Sequence, residues 1–504
     1  MFTGTRRKRP TEAASLPAKN NPGFNTVLIL LSGAAVLAYI ATKAAVSSFT
    51  HDESYTYLHY ISQSFLDIIS NQGAYSNNHV LNTLAMKYSE KLFGSSELAL
   101  RLPNLLALTV FLCYSFLLTR KLHPGLCASI FILAVTNTTL IDFFGLARGY
   151  GLSIAFMVMG LYHLVESFNA NRQAHLVVFN LAALLAILSN FTMLTFYLSA
   201  LLVFNIVHVL DNQLHNRKKV NFFKVNAVNL ILFVFLFIVL YEPVRKAVKF
   251  NSFDFGGKQG FVSDTVTSLI LHLFTNIHFT PVMMAILQTL IVVLFLLPIA
   301  LLVMKSVRGG SDFITRHRPL IIINLVLAGI SAASIIQHWV LKTDFLVGRF
   351  SLFLVPLLIF NLGFLFNLFI DFRAKSLVIT ISVALTVLSS ANFYINRNLY
   401  SCAEWSYDSG TKDAVATLRA DYGKVYPKST DRVQLGIHWL FEPTINFYRQ
   451  TWKLDWLNAV DRNGLKGADN YIYIFRQDTV NVPWKSWATI FKCEGANTLL
   501  IKKL

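Results

Sequence analysis

The run VLILLSGAAVLAYIATKAAV, residues 27–46, is followed almost at once by THDESYTYLHY, residues 50–60. An α-helix needs about 20 mostly apolar residues to cross the hydrocarbon core of a bilayer, which the first segment provides. The second segment gathers two acids, two histidines and three tyrosines. Because such groups are costly inside hydrocarbon, we expect residues 50–60 at the membrane surface, next to the end of a first transmembrane helix.

The composition also indicates an integral membrane protein. Of 504 residues, 54% are hydrophobic and only 14% are charged, a balance that a fully water-exposed surface does not tolerate at this length. The formal net charge is +18, but the basic residues are spread between apolar runs rather than clustered with aromatic RNA-binding motifs. The orientation of the protein in the membrane and contacts with anionic lipids therefore explain the positive charge better than binding to nucleic acid does.

Further apolar runs of transmembrane length follow the first. They cover residues 102–119, 125–141, 149–168, 175–190, 191–210, 222–241, 281–304, 319–338, 350–370 and 376–393. Together they predict a polytopic α-helical domain, residues 27–394, with about 11 transmembrane helices. The pair 175–190 and 191–210 has an alternative interpretation as one long tilted helix, which would invert the side of every later loop.

Basic residues mark alternate loops of this domain. They lie on the side of the basic tail, residues 1–26, and include Arg120, Lys121, Arg172, Arg217, Lys218, Lys219, Lys224, Lys305, Arg318, Arg373 and Lys375. The positive-inside rule makes that side cytoplasmic, and the protein is then placed in the inner (plasma) membrane. The long loops 47–101 and 242–280 become extracytoplasmic. A cleaved signal peptide is the alternative for the first run, although that run exceeds the usual core of 7 to 15 residues.

Residues 395–504 are more polar and predict an extracytoplasmic α/β domain. Strand-like runs alternate with helix-like segments, and residues 494–497 indicate a hairpin turn between two terminal strands. The strand-like runs are 433–437, 471–475 and 489–493, and the helix-like segments are 412–421 and 442–448. Two interpretations stay open for Cys402 and Cys493, namely a disulfide or two unpaired buried thiols.

Asp52 and Glu53 are the candidate catalytic acids. Thr50 and Glu53 have the spacing of a capping box, which gives Glu53 a structural role at the start of a helix. On that helix Asp52 shares one face with Tyr55, Thr56 and His59, so Tyr55 and His59 are candidate substrate-binding residues. The opposite, apolar face would hold Leu58, Ile61, Phe65 and Ile68.

Three further candidates are His79, Arg148 and Arg349. Each has a structural alternative: a helix cap for His79, an ion pair with Asp142 for Arg148, and an interfacial arginine for Arg349. Under the predicted topology all three lie on the same face as Asp52. A base and several cations at one membrane surface suit a reaction that deprotonates a hydroxyl and stabilises an anionic lipid leaving group.

The sequence contains no Walker A motif, no GxGxxG that opens a helix, no HExxH and no CxxC pair. These absences argue against nucleotide hydrolysis, dinucleotide-dependent redox chemistry and zinc protease chemistry.

Several motifs resemble the GT-C superfamily of polyprenyl-phosphate-sugar glycosyltransferases, close to the protein O-mannosyltransferases and the lipid A aminoarabinose transferases. They are Asp52-Glu53, Asn78-His79-x-Leu81, Leu92-Phe93-Gly94-Ser95-Ser96-Glu97, Leu100-Arg101-Leu102-Pro103, Ala147-Arg148-Gly149-Tyr150 and Gly348-Arg349-Phe350. This resemblance implies that Asp52 activates the acceptor and that His79 contacts the donor phosphate. It also implies that Arg148 and Arg349 are phosphate-facing or structural cations. The chain departs from the family pattern at Val80-Leu81, which replaces prolines, and at Phe350, which replaces a tyrosine.

The resemblance therefore implies an inverting glycosyltransferase of the extracytoplasmic face. Its donor would be a polyprenyl-phosphate sugar, and its acceptor hydroxyl would belong to a protein, a lipid or a glycan. No cofactor is expected to be required, with a divalent metal at Asp52 and Glu53 as the alternative. The other functions considered are a lipid or polyprenyl-carrier transporter or flippase, and a receptor or scaffold anchored by its helices.

Overall fold

The structure is a computed structural model that describes residues 22–70, 78–169, 172–214, 222–249, 256–425, 432–465, 469–481 and 486–504. Within these ranges it contains eighteen α-helices. They are α1 (Pro22–Val46), α2 (His51–Tyr60), α3 (Phe65–Ile69), α4 (Val80–Phe93), α5 (Glu97–Thr119), α6 (Pro124–Val135), α7 (Thr138–Asp142), α8 (Gly149–Glu166), α9 (Arg172–Ser189), α10 (Met193–Leu214), α11 (Phe222–Lys249), α12 (Thr267–Leu273), α13 (Pro281–Arg316), α14 (Arg318–Leu341), α15 (Leu354–Asp371), α16 (Lys375–Asn396), α17 (Thr411–Val425) and α18 (Glu442–Thr451).

Every apolar run predicted from the sequence coincides with a helix or with a bent pair of helices, so the chain is a polytopic α-helical membrane protein. By length and composition, eight helices in the described ranges are able to cross a membrane. The count becomes nine if α6 and α7, which meet at a bend of 61°, form one broken span. The other two predicted runs correspond to α8 and α11. The run 175–210 forms two helices, α9 and α10, which confirms the prediction of two segments rather than one.

The first helix differs from the prediction at its start. It begins at Pro22, five residues earlier than the predicted apolar run. Proline is well tolerated in the first turn of a helix, because the N–H that it lacks would have no partner within the helix. Of the predicted basic tail, residues 1–21 lie outside the described part of the chain.

The loop 47–101 contains three short helices at the predicted outer surface. The amphipathic helix expected from Asp52 onward does not continue to Ile68, because α2 ends at Tyr60 and α3 begins only at Phe65. Lys87 Nζ donates to the carbonyl of Ile61, 3.0 Å away, at this break. Helix α4 ends at Phe93, and Gly94 follows it with a φ of +84° that favours glycine.

The C-terminal region folds into a four-stranded sheet with two helices, α17 and α18. The strands are β1 (Leu435–Ile437), β2 (Tyr471–Phe475), β3 (Trp487–Cys493) and β4 (Thr498–Lys503), in the order β1-β2-β4-β3. β1 pairs with β2 in parallel, and the other two pairs are antiparallel. The terminal hairpin, the helix positions and the α/β class are as predicted. Cys402 and Cys493 are both free thiols.

The apolar core of this C-terminal domain is shared with the membrane-proximal loop. Phe49, Tyr57, Met86 and Leu100 are buried in one cluster with residues of α17, α18, β1 and β2. Burial of large apolar side chains stabilises such a contact by roughly 1.5–3 kcal/mol for each side chain. Helix α2, which carries both candidate acids, is therefore held against the C-terminal domain.

Candidate functional site

Glu53 is completely buried and forms a two-point ion pair with Arg101 of α5. Its Oε1 lies 2.8 Å from Arg101 Nε and its Oε2 lies 2.7 Å from Arg101 Nη2, and both side chains are 0% exposed. The same carboxylate accepts hydrogen bonds from the backbone N–H groups of Thr50, at 2.9 Å, and Ala147, at 2.5 Å. The Thr50 contact is the carboxylate half of the predicted capping box.

Arg101 extends this network to the end of the first helix. Its Nη1 donates to the carbonyls of Ala44 and Ser47, both 3.0 Å away, and its Nη2 donates to the carbonyl of Ser48 at 2.7 Å. Glu53 and Arg101 together therefore tie α1, α2 and α5 to one another. These contacts occupy both carboxylate oxygens of Glu53 and give this residue a structural role.

Asp52 lies in the neighbouring cluster and is clamped between two arginines from distant parts of the chain. Asp52 Oδ2 is 3.3 Å from Arg148 Nη2 and 3.2 Å from Arg349 Nη1. The Asp52 side chain is 15% exposed, whereas the Arg148 side chain is only 1% exposed. The sequence-based grouping of these three residues at one surface matches a direct contact, and we refer to them below as the Asp52 cluster.

Arg148 is fixed at the N-terminal end of α8. Its Nη1 donates to Thr56 Oγ1 at 3.0 Å, on the same face of α2 as Asp52. The alternative of an ion pair with Asp142 is wrong, because Asp142 Oδ1 lies 2.7 Å from Lys43 Nζ of α1 instead. The next residue in the chain is Gly149, where an added Cβ would lie 1.9 Å from the carbonyl oxygen of Ser189. Glycine is thus required for α8 to approach the end of α9 so closely.

Arg349 lies in a single 3₁₀ turn, Gly348–Phe350, that the loop 242–280 holds in place. Gly348 has a φ of +53°, and its N–H donates to Ser268 Oγ of α12 at 2.8 Å. The carbonyl of Gly348 is 2.8 Å from His272 Nε2. The Arg349 side chain is 27% exposed, so it is the more accessible of the two arginines.

Aromatic rings surround the Arg349 guanidinium, whose Cζ lies 5.1 Å from the ring centroid of Trp405 and 5.9 Å from that of Tyr150. Cation–π contacts at these distances stabilise a guanidinium without using its N–H donors. One of its nitrogens, Nη1, lies 3.2 Å from Asp52 Oδ2. Glu404, which is exposed, adds a carboxylate near Arg349.

His79 lies next to the cluster, and its ring is oriented by one hydrogen bond. Its Nδ1 is 2.8 Å from the carbonyl oxygen of Ser189, which can only accept, so Nδ1 carries the hydrogen. Burial, together with the charges of Arg148 and Arg349, holds the pKa of the His79 imidazole well below its usual range. His79 is therefore neutral, and its Nε2 is a buried acceptor with no hydrogen-bond partner among the described residues.

Tyr55 and His59 lie one helical turn further along α2. Their rings stack on each other with centroids 4.0 Å apart, and His59 Nδ1 is 2.9 Å from the carbonyl of Tyr55. The Asp52 cluster thus brings together Asp52, Arg148 and Arg349, and the two stacked rings form a separate pair beside it.

The segment 403–408, near the start of the C-terminal domain, adds residues that sequence reasoning missed. Trp405 packs on Arg349, and burial beside Asp408 and Asp52 raises the pKa of the half-buried Tyr407 hydroxyl. Asp408 is buried and accepts a hydrogen bond from the N–H of His51. The available signal was a cluster of acids and aromatic residues, Glu404-Trp405-Ser406-Tyr407-Asp408, shortly after the last span, similar in composition to residues 50–60.

The contacts of Asp52 and Glu53 do not fit a divalent cation. Both Glu53 oxygens are occupied by Arg101 and backbone N–H groups, and Asp52 faces two guanidinium groups. A cation there would have to displace three arginines that carry the same sign of charge. In the described part of the chain, no group of three or more His, Cys, Asp or Glu side chains is arranged to hold a metal ion.

The chain is similar in structure to crystal structures of ArnT from Cupriavidus metallidurans. Both the apo form and the form bound to undecaprenyl phosphate share 13% sequence identity with it, and in each case the match covers 95% of this chain and 98% of ArnT. The TM-scores are 0.44 and 0.42, respectively. No protein-family model matches the sequence, and no curated protein matches it.

Proposed function

We propose that the protein is an inverting glycosyltransferase that moves a sugar from a polyprenyl-phosphate donor to an acceptor hydroxyl. The observation that carries the proposal is the Asp52 cluster, in which one partly exposed carboxylate lies within 3.3 Å of two guanidinium groups. A carboxylate supplies a base and the guanidinium groups supply a phosphate site, which are the two functions that this transfer needs. The order and spacing of the GT-C-like sequence motifs support the same reaction.

In the proposed step, Asp52 removes the proton of the acceptor hydroxyl as its oxygen attacks the anomeric carbon. The new C–O bond forms as the bond between that carbon and the phosphate oxygen breaks. The electron pair of the broken bond leaves with the polyprenyl phosphate, which gains one negative charge. Arg148 and Arg349 stabilise that charge, so the transition state is bound more tightly than the substrate.

The two arginines have different positions in this scheme. Arg148 is almost fully buried and tied to Thr56, so it keeps α2 in place. Arg349 is more exposed and lies on a short turn, so a phosphate oxygen is able to replace the Asp52 carboxylate as its partner. In the structure both guanidinium groups contact the same oxygen, Asp52 Oδ2. We propose that donor binding withdraws Arg349 from Asp52 and thereby frees this oxygen to accept the proton of the acceptor hydroxyl.

We assign His79 a role that differs from the phosphate contact implied by the family resemblance. A phosphate binds to hydrogen-bond donors, but the buried Nε2 of His79 offers a lone pair. That atom is suited to accept a hydrogen bond from a hydroxyl of the donor sugar or of the acceptor. We propose that His79 orients a hydroxyl beside the Asp52 cluster.

Replacement of His79 tests this role. His79→Phe is expected to lower kcat/KM about threefold to tenfold, the effect of losing one neutral hydrogen bond. His79→Gln, which keeps an acceptor, is expected to lose less. Inhibition by free polyprenyl phosphate, which measures the phosphate site separately, should change by less than about twofold in both variants. A tenfold weaker inhibition of the His79→Phe variant by free polyprenyl phosphate would contradict this role and would indicate that His79 contacts the donor phosphate.

The main experiment measures donor cleavage directly. Purified protein is incubated with polyprenyl-phosphate mannose, glucose or arabinose and with an extract of membrane lipids and proteins, and free polyprenyl phosphate is quantified by mass spectrometry. The proposal expects release of the lipid phosphate together with sugar incorporated into the extract. If no donor is cleaved but labelled polyprenyl phosphate crosses reconstituted vesicles, the protein is instead a carrier flippase. If neither occurs and only binding to the C-terminal domain is found, it is a receptor or scaffold.

We also propose that transfer requires no metal, because Arg148 and Arg349 already supply the positive charge that faces the leaving phosphate. Turnover is expected to change by less than about twofold after exhaustive treatment with EDTA. The measurement compares EDTA-treated protein with the same protein supplemented with Mg²⁺ or Mn²⁺. A loss of turnover that Mn²⁺ restores would contradict the proposal and would indicate that Asp52 and Glu53 bind a metal ion.

The partners and the location follow from the same scheme. We propose that the protein lies in the inner (plasma) membrane with a cytoplasmic N-terminus, and that the Asp52 cluster and the C-terminal domain face the opposite side. The partners are then a polyprenyl-phosphate sugar, a protein, lipid or glycan acceptor and the surrounding membrane lipids, without nucleic acid. The alternating basic loops support this orientation.

A further inference from the structure

The first turn of α2 is held by residues of the C-terminal domain. The backbone N–H of His51 donates to Asp408 Oδ2 at 2.7 Å, and His51 Nδ1 lies 2.7 Å from the carbonyl of Leu440. The first N–H groups of a helix have no partner within that helix and need one from elsewhere. Asp408 therefore caps α2 at the residue directly before Asp52.

The residues that precede α2 are attached to the same domain. The N–H of Phe49 donates to the Tyr448 hydroxyl of α18 at 2.8 Å, and the Phe49 ring stacks on Phe447 with centroids 4.2 Å apart. The Tyr448 hydroxyl in turn donates to Glu97 Oε1 at 3.1 Å, and Lys412 Nζ lies 2.8 Å from the same oxygen. The C-terminal domain thus contacts both α2 and the start of α5.

We propose that the C-terminal domain is a positioning element of the transferase site and that Asp408 is its positioning residue. Capping by Asp408 fixes the first turn of α2 and, through it, the position of the Asp52 carboxylate between Arg148 and Arg349. This inference rests on the proposed function, since it assigns Asp52 to the reaction. A displacement of about 1 Å between a base and its substrate lowers a rate by as much as about 10².

Asp408 is surrounded by groups that determine its charge. On α2 it faces His51 and Asp52, on its own turn Tyr407, and on β2 the Tyr473 hydroxyl. Its other neighbours, Thr411 and Thr444, carry no charge. Burial, with a smaller contribution from the charge of Asp52, raises the pKa of Asp408 to about 8. The carboxyl group therefore keeps its proton at neutral pH, and asparagine resembles that form closely.

The raised pKa of Asp408 determines how its contribution to the stability of the protein changes with pH. A carboxyl whose folded pKa lies above its unfolded value contributes stability at low pH, and that stability is lost as the pH rises through about 8. The Tm of the wild-type protein should therefore fall as the pH rises from about 5 to about 8. Asp408→Asn removes this titration, so the Tm of that variant should fall less over the same interval.

The test compares Asp408→Ala with Asp408→Asn and with Asp413→Ala, a matched control at an exposed acid of α17. Transfer kinetics are measured for each variant, together with backbone hydrogen exchange of residues 51–60. Asp408→Ala is expected to lower kcat about 10- to 100-fold, to leave the donor KM within about twofold, and to accelerate exchange at the start of α2 at least about tenfold. Asp408→Asn should stay within about threefold of the wild-type in both measurements.

Two results would overturn the proposal. One is a wild-type kcat in the Asp408→Ala variant, and the other is a low kcat with unchanged exchange in α2, which would indicate a chemical rather than a positioning role. If Asp408→Ala does not fold, Tyr448→Phe, which removes the hydroxyl that caps Phe49, is measured in the same way. If the wild-type protein transfers no sugar, the proposed function fails, while the hydrogen-exchange comparison still decides whether Asp408 holds α2.

Discussion

Asp52→Asn is expected to lower kcat by about 10² to 10⁴ while the protein remains folded and inserted in the membrane. The expected loss is the usual contribution of a positioned general base. Asparagine has nearly the same shape as aspartate, so α2 should keep its position. Because the substitution removes the carboxylate that competes for Arg349, the donor KM should stay the same or fall.

The measurement is the release of polyprenyl phosphate under single-turnover conditions, with folding followed by gel filtration in detergent. Asp67→Asn is the matched control, because Asp67 lies in the same loop but at the start of α3, where it contacts Ser64 rather than arginines. Near wild-type kcat in the Asp52→Asn variant would exclude Asp52 as the base. A variant that no longer folds would show that the carboxylate mainly holds Arg148 and Arg349 in place.

Glu53→Gln, one residue further along, is expected to destabilise the protein by about 3 to 5 kcal/mol. The substitution leaves the Arg101 guanidinium buried without its counter-charge, and breaking a fully buried ion pair from one side carries a penalty of that size. Glutamine also presents an amide group where Glu53 accepts hydrogen bonds from backbone N–H groups. The variant should therefore show a much lower Tm and a low yield of inserted protein.

Glu242→Gln provides the control, because it makes the same chemical change in an ion pair that is largely exposed. Glu242 and Arg245 are 38% and 56% exposed, and water screens such a pair so strongly that its loss should leave the Tm nearly unchanged. Thermal unfolding of both variants in the same detergent measures the difference. A Glu53→Gln variant that keeps the wild-type Tm but loses turnover would move Glu53 from a structural to a catalytic role.

The sequence predicted the features that depend on local patterns. The positions of the membrane helices were predictable because each helix coincides with a continuous apolar run that is long enough to cross the bilayer. The strand at Tyr471–Phe475 and the final hairpin follow from short apolar runs bounded by turn residues. The grouping of Asp52, Arg148 and Arg349 was also predictable, because the alternating basic loops place all three at the same membrane surface.

The contacts that join distant parts of the chain were not predictable from such patterns. The spacing of Thr50 and Glu53 indicated a cap, but nothing near Glu53 in the sequence identifies Arg101, 48 residues away, as its partner. Lys43 and Asp142 are single charges in or directly beside separate apolar runs, and only the packing of α1 against α7 pairs them. Asp408 lies in a recognisable cluster of acids and aromatic residues, but its role as a cap depends on how the C-terminal domain docks on α2.

The cap on α2 has a consequence for the biosynthesis of the protein. Asp408 is synthesised 357 residues after His51, which at ribosomal rates of about 5–20 residues per second means a delay of about 20 to 70 s. During that interval α1 and α5 are able to insert, but the first turn of α2 lacks Asp408 as the partner for the N–H of His51. A nascent or truncated chain that ends before the C-terminal domain would thus occupy the membrane without a fixed Asp52. Transfer would begin only when translation and export of the final segment are complete.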